Sequence, residues 1–231
     1  MIAVRESNSR GKASFGWLDS RHTFSFGQYY DPQHMGVSAL RVINDDKVAP
    51  NAGFSTHGHS NMEIISYVTK GEMVHKDSEG NVQTLPAGEF QLMSAGSGIM
   101  HSEYNASSEE SLHFLQIWVQ PNEKGGQPGY QQKRFVTDSA LVPVITPDGK
   151  DGTLKIKQDA TISELNLAYG ESIDIPANEE RNYYLHVVEG KLAVESKKLS
   201  AGDGVAISKY SRLAFKQCGD EAVKAILFDL P

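Results

Sequence analysis

A chain of 231 residues with 39% hydrophobic and 22% charged side chains carries enough apolar surface for one large core or two smaller ones. Its net charge of -7 opposes non-specific binding to phosphate backbones, which requires a basic face, so direct nucleic-acid binding is not expected. Cys218 is the single cysteine, which excludes an intramolecular disulfide. With charges at Arg5, Glu6, Arg10 and Lys12 and no run of about 20 apolar residues, the chain is expected to lack a secretory leader and a membrane span and to work in the reducing cytoplasm.

From the N-terminus onward, turn signals come at short intervals: Asp31-Pro32, Asn44-Asp45-Asp46, Ser78-Glu79-Gly80-Asn81, Pro86-Ala87-Gly88 and Gly96-Ser97-Gly98. The segments 38–43, 63–68, 90–94 and 112–119 between them are short and rich in β-branched and aromatic residues. Such punctuation predicts an all-β sandwich or barrel, and no long window carries helical periodicity. The Pro- and Gly-rich run 121–129 reads as a linker or a long surface loop. A second β-rich stretch covers 154–230, so the domain boundary falls between Gln120 and Gly152. Drawn at 135/136, it gives an N-terminal domain 1–135 and a C-terminal domain 136–231.

An internal repeat supports two similar halves. Tyr67-Val68-Thr69-Lys70-Gly71 is similar to His186-Val187-Val188-Glu189-Gly190. Each is followed by a strand pair and a small-residue turn, Pro86-Ala87-Gly88-Glu89 or Ser200-Ala201-Gly202-Asp203, and then by another apolar strand. Two homologous barrels are the simplest account.

Five of the eight histidines lie between positions 57 and 113, and two patterns stand out among them. His57-Gly58-His59 precedes a strand-like run, and His101-Ser102-Glu103 follows the Gly96-Ser97-Gly98 turn. Residues i and i+2 of a strand point to one face with Cα atoms roughly 6.5 Å apart, so two imidazoles so placed can converge on a single ion. A neighbouring strand bearing His-x-Glu completes a set of three imidazoles and one carboxylate, which suits Fe, Mn, Co, Ni, Cu or Zn. A lone His-x-His is common on surfaces; two such patterns beside glycine turns in one β-rich segment are not. Glu63 shares strand parity with 57 and 59 and is open to four readings: a ligand, a hydrogen-bond partner to a ligand imidazole, an acid in the pocket wall, or a structural acid. His75, beside Lys76 and Asp77, is expected to be a solvated histidine near a hairpin end. His113 is left unassigned. His22, His34 and His186 lack a partner at metal spacing and are expected to be structural. Aligning the repeats places Pro176, Asn178, Phe215 and Gln217 at the four ligand positions, so the second half is expected to hold no equivalent site.

The residues from Gly53 through His57, His59 and Glu63 to Gly71 resemble the first cupin motif. Gly80, Pro86-Ala87-Gly88 and His101-Ser102-Glu103-Tyr104-Asn105 resemble the second. The finer detail is similar to the pirin branch: Gly16-Trp17, His22-Thr23-Phe24-Ser25-Phe26, Tyr30-Asp31-Pro32 and the run 90–99. The resemblance is dense over about residues 10–135, and the remainder is similar to the C-terminal cupin of short bacterial pirin-like quercetinases. It implies an all-β chain of two cupin (jelly-roll) barrels, with one metal in the N-terminal barrel on His57, His59, His101 and Glu103. It further implies quercetin 2,3-dioxygenase activity, in which a flavonol binds near the metal through its hydroxyl and ketone oxygens, O2 opens the heterocyclic ring, and carbon monoxide leaves. The spacing around Glu63 departs from the broad cupin pattern, which leaves the carboxylate less fixed than the histidines.

On this scheme Glu103, with Glu63 as the alternative, takes the flavonol hydroxyl proton. Phe24, Phe26, Met93, Tyr104, Phe114 and Trp118 are candidates for the walls of an aromatic slot, each equally explained as barrel core. Iron(II) is the expected ion. The rival reading is a regulatory module of the pirin type, whose metal is structural or redox-sensing and whose ligand is a protein partner. A cupin isomerase or hydrolase with the same donors is a third. A monomer is expected.

Overall fold

The computed structural model describes residues 1–136 and 139–231, and apart from two short 3-10 turns its regular elements are all strands. In chain order they are β1 (Ile2–Arg5), β2 (Gly11–Ser14), β3 (Leu18–His22), β4 (Leu40–Val48), β5 (Gly53–His59), β6 (Glu63–Lys70), β7 (Glu72–Asp77), β8 (Val82–Pro86), β9 (Glu89–Ser94), β10 (Ile99–Asn105), β11 (Leu112–Val119) and β12 (Gly129–Arg134). The second half adds β13 (Leu141–Thr146), β14 (Leu154–Lys155), β15 (Thr161–Leu167), β16 (Ser172–Pro176), β17 (Asn182–Glu189), β18 (Lys191–Val194), β19 (Lys197–Ser200), β20 (Gly204–Ser208), β21 (Arg212–Gln217) and β22 (Val223–Leu230). No helix among the described residues is long and apolar enough to cross a membrane.

The strands form two compact units of the same design. One pairs a seven-stranded sheet, β12-β9-β6-β11-β4-β3-β2, with a four-stranded sheet, β5-β10-β7-β8. The other pairs β1-β20-β17-β22-β15-β13-β14 with β16-β21-β18-β19. The sequence repeat maps one onto the other. Gly88 and Gly202 both adopt φ of +83°, and their amides donate to Val68 and Val187, which are equivalent valines in the repeat. Central strands such as β6 are apolar on both faces because each face meets packed side chains, whereas β10 alternates, burying His101, Glu103 and Asn105 and exposing Met100 and Tyr104.

The compact units are not contiguous halves of the chain. Residues 1–10 belong with the C-terminal unit, where β1 pairs along β20 from Ile2↔Ile207 to Arg5↔Gly204. Residues 156–158 belong with the N-terminal unit: the Lys157 amide donates to Glu63, and its carbonyl accepts from the Asn122 amide. Two local expectations change as well. Asn44-Asp45-Asp46 is no turn but the middle of β4, because Asn44 and Asp46 are buried beside other polar groups. The run 121–129 is a loop of the N-terminal unit rather than a linker. It is held by Ser97 donating to the Gly126 carbonyl and by the Gly125 amide donating to Asn61, and it leads into β12.

Candidate metal centre

The four-stranded sheet of the N-terminal unit places β10 between β5 and β7, with His101 opposite His57 on one side and Asp77 on the other. This pairing requires a close approach. A Cβ on Gly53 would stand 2.4 Å from the Glu103 carbonyl, so glycine lets the start of β5 lie against β10. A bulge between His101 and Glu103 shifts the β5–β10 register at the same place.

His57, His59 and His101 come together. Their ring centroids lie 4.5–4.8 Å apart, and one ring nitrogen from each falls within 4.8 Å of the others. His57 Nδ1 sits 2.8 Å from the Ser55 carbonyl, which can only accept, so the proton is on Nδ1 and Nε2 keeps its lone pair. His101 is 1% exposed, and neither of its ring nitrogens has a hydrogen-bond partner. Burial, reinforced by the neighbouring imidazoles, lowers His101 to about 3; burial and His57 lower His59 to about 4. Both rings are therefore neutral at neutral pH, the form in which a histidine ligates. Leaving a buried polar atom unpaired costs about 1–3 kcal/mol. Converging, neutral, unpaired nitrogens are what a divalent transition metal needs, so the trio fits one.

Glu103 lies beside this trio rather than within it. Its oxygens accept from the Ser66 hydroxyl at 3.0 Å and from Gln116 Nε2 at 2.8 Å, and Gln116 in turn accepts from the Trp118 indole at 3.2 Å. Burial, with Asp46 adding to it, raises Glu103 to about 7 against the lowering effect of these hydrogen bonds. A carboxylate oxygen of Glu103 groups with nitrogens of His75 and His101 within 4.8 Å, so His101 is shared between two donor clusters.

Glu63 is elsewhere. Asn61, at φ of +53°, breaks the strand between β5 and β6, and strand parity with His57 ends there. Glu63 is buried on the other sheet, accepting from Ser94 at 2.8 Å and from the Lys157 amide at 3.2 Å. Burial raises its pKa. Of the four readings, the structural acid describes its contacts.

His75 is not solvated. It is fully buried, its Nε2 sits 3.0 Å from Asp77, and its ring lies 4.8 Å from that of Tyr130. Sequence spacing could not reveal this, because what buries His75 is the pairing of β7 with β10. His113 pairs with Asp45 and His34 lies near Asp31, while His186 is buried in the other unit.

A cavity of about 820 Å³ opens beside the imidazoles, with His57, His59 and Gln116 in its wall. Of the six aromatic-slot candidates, Phe26 and Trp118 line it and meet edge to face at 5.4 Å, with Trp118 also against His59 at 5.0 Å. Phe24, Met93 and Phe114 are buried in packing away from the lining, and Tyr104 is 40% exposed on the outer face of β10. The remaining walls include Trp17, Tyr29, Phe54 and His22, none of which spacing singled out as pocket residues. Asp46 also lines the cavity, and burial raises it to about 7.

Comparison with known proteins follows the same lines. The family described as Pirin matches residues 3–119, and the quercetinase C-terminal cupin domain matches 143–230. A protein of Escherichia coli (strain K12) named quercetin 2,3-dioxygenase is 48% identical over 231 residues, covering all of this chain and 99% of its own. A pirin-like protein of Caulobacter vibrioides is 41% identical over 212 residues, 90% of each chain. The crystal structure of the bacterial pirin YhhW from Escherichia coli in complex with nickel(II) superimposes with a TM-score of 0.96 at 47% identity, covering 100% of this chain and 99% of that one.

Proposed function

Because this chain belongs to the pirin family, with cupin domains in both halves, we propose that it is a metal-dependent dioxygenase of the quercetin 2,3-dioxygenase type, opening the heterocyclic ring of a flavonol with O2. The observation that carries the proposal is the meeting of three imidazoles, two of which, His57 and His59, stand in the wall of a cavity with aromatic sides, while the third, the buried His101, has two unpaired nitrogens. His57, His59 and His101 hold the ion in this reading, with Glu103 as the fourth ligand. Iron(II) is the proposed native ion, on donor type and availability; nickel(II) accompanies the Escherichia coli structure.

When bound, a divalent metal supplies Lewis acidity that eases loss of the flavonol hydroxyl proton. The protein's own groups do the rest. Phe26 and Trp118, which meet edge to face, give the flat rings an apolar surface. Glu103 takes the hydroxyl proton on a carboxylate oxygen. Ser66 and Gln116 donate to that carboxylate, so its orientation is set before substrate arrives. Trp118, anchored through its indole to Gln116, ties the slot to the same network.

The test is oxygen uptake by the metal-loaded protein with quercetin, with carbon monoxide measured alongside. Quercetin-dependent uptake that disappears in His57→Ala is expected. Loss of the flavonol absorbance under strict anaerobiosis would rule the scheme out.

A further inference from the structure

We infer that His75, locked in place by Asp77, is the hydrogen-bond acceptor for the ring nitrogen of His101 that faces away from the metal, and so sets the orientation of that ligand. The inference rests on the metal reading above but concerns a residue outside the trio. Its basis is a chain of buried side chains across two strands. On β7, His75 stands opposite Glu103 of β10, and Asp77 stands opposite His101. Asp77 is fixed: its carboxylate accepts from the Glu79 and Asn81 amides at 3.0 Å each and from the Asn81 side chain at 2.8 Å. It also accepts from His75 Nε2 at 3.0 Å.

A carboxylate bearing no proton can only accept, so the hydrogen of this contact sits on His75 Nε2. The other nitrogen, Nδ1, then presents a lone pair. That atom is buried and has no partner, and neither has either nitrogen of His101. The two rings are close, with centroids 5.5 Å apart, and a nitrogen from each falls within the same 4.8 Å group. An imidazole that gives one nitrogen to a metal carries its proton on the other. His101 therefore has a proton to place, and the neighbouring His75 offers a lone pair for it. The resulting chain, Asp77 to His75 to His101, fixes the tautomer and the ring angle of the most buried of the three imidazoles. His57 has its own such partner in the Ser55 carbonyl.

The experiment titrates the metal-free protein with cobalt(II) against a competing chelator and records the visible ligand-field spectrum. His75→Leu keeps most of the volume and removes the acceptor; His75→Asn restores an acceptor atom near the Nδ1 position; Asp77→Asn keeps the ring but loosens its tautomer. Expected are a 10- to 100-fold loss of cobalt affinity and an altered spectrum in His75→Leu, substantial recovery in His75→Asn, and an intermediate loss in Asp77→Asn. If His75→Leu does not fold, Asp77→Asn and His75→Asn decide the matter by the same readouts. Equal losses in the leucine and asparagine variants, or wild-type affinity and spectrum in all, would overturn the inference while leaving the metal site standing. A wild-type protein that takes up no cobalt would remove both.

Discussion

At the scale of single residues, the centre trades stability for readiness. His101 is buried with two unpaired nitrogens, and a bound metal removes the cost of one of them. His101→Leu is expected to make the metal-free protein about 1–3 kcal/mol more stable while abolishing high-affinity metal uptake; chemical denaturation of both metal-free forms checks this, and a destabilised leucine variant would contradict it. Asp46 provides a pH-dependent case. Burial raises it to about 7 from an unfolded value near 4. Between those values the folded state keeps a proton that the unfolded chain releases, so stability falls as pH rises through the window. Asp46→Asn stays neutral and escapes this. Its melting temperature is expected to match the wild type near pH 4 and to exceed it increasingly up to pH 8, by up to roughly 4 kcal/mol in stability. Parallel melting curves across that range would show that Asp46 does not titrate in the folded state.

At the scale of elements, the site depends on how closely β5 lies on β10. Gly53 has no room for a side chain against the Glu103 carbonyl and the Tyr104 backbone. Gly53→Ala is therefore expected to push β5 outward, costing about 1–3 kcal/mol and weakening metal binding through displacement of His57 and His59 relative to His101; a melt and a chelator competition on the same sample test both effects. The alternation of β10 was readable in Ile99-Met100-His101-Ser102-Glu103, which buries every second residue as the period of two requires. The turn expected at Asn44-Asp45-Asp46 failed for a related reason. Polar residues signal turns only where strands end in water, and here Asn44 and Asp46 occupy the buried face of β4, with Gln116 opposite Asn44. For Glu63 only the inward-facing reading is excluded, and by conformation: one left-handed residue, Asn61, ends the strand whose parity linked it to His57.

At the scale of the whole molecule, the chain builds two sheet pairs with the same strand order but exchanges two short segments between its halves. Removing residues 1–10 is expected to strip β1 from β20, lower the melting temperature of the C-terminal unit and promote association through the uncovered edge, while leaving cobalt uptake by the N-terminal unit intact; calorimetry with light scattering distinguishes this from a loss of both units. What the sequence determined by itself is local in origin. Glycine turns, β-branched runs and the i, i+2 pairing of histidines follow from backbone sterics and from the alternation of a strand, so the all-β class, the repeat and the His57, His59 and His101 cluster could be read without a structure. Which strands become neighbours is non-local. Only the tertiary structure decided that His75 lies under His101, that Glu103 is held between Ser66 and Gln116, that Phe26 and Trp118 face the cavity while Phe24, Met93 and Phe114 do not, and that the first ten residues serve the other barrel. Burial at those positions comes from the partner across the sheet, and no spacing within one strand encodes the partner.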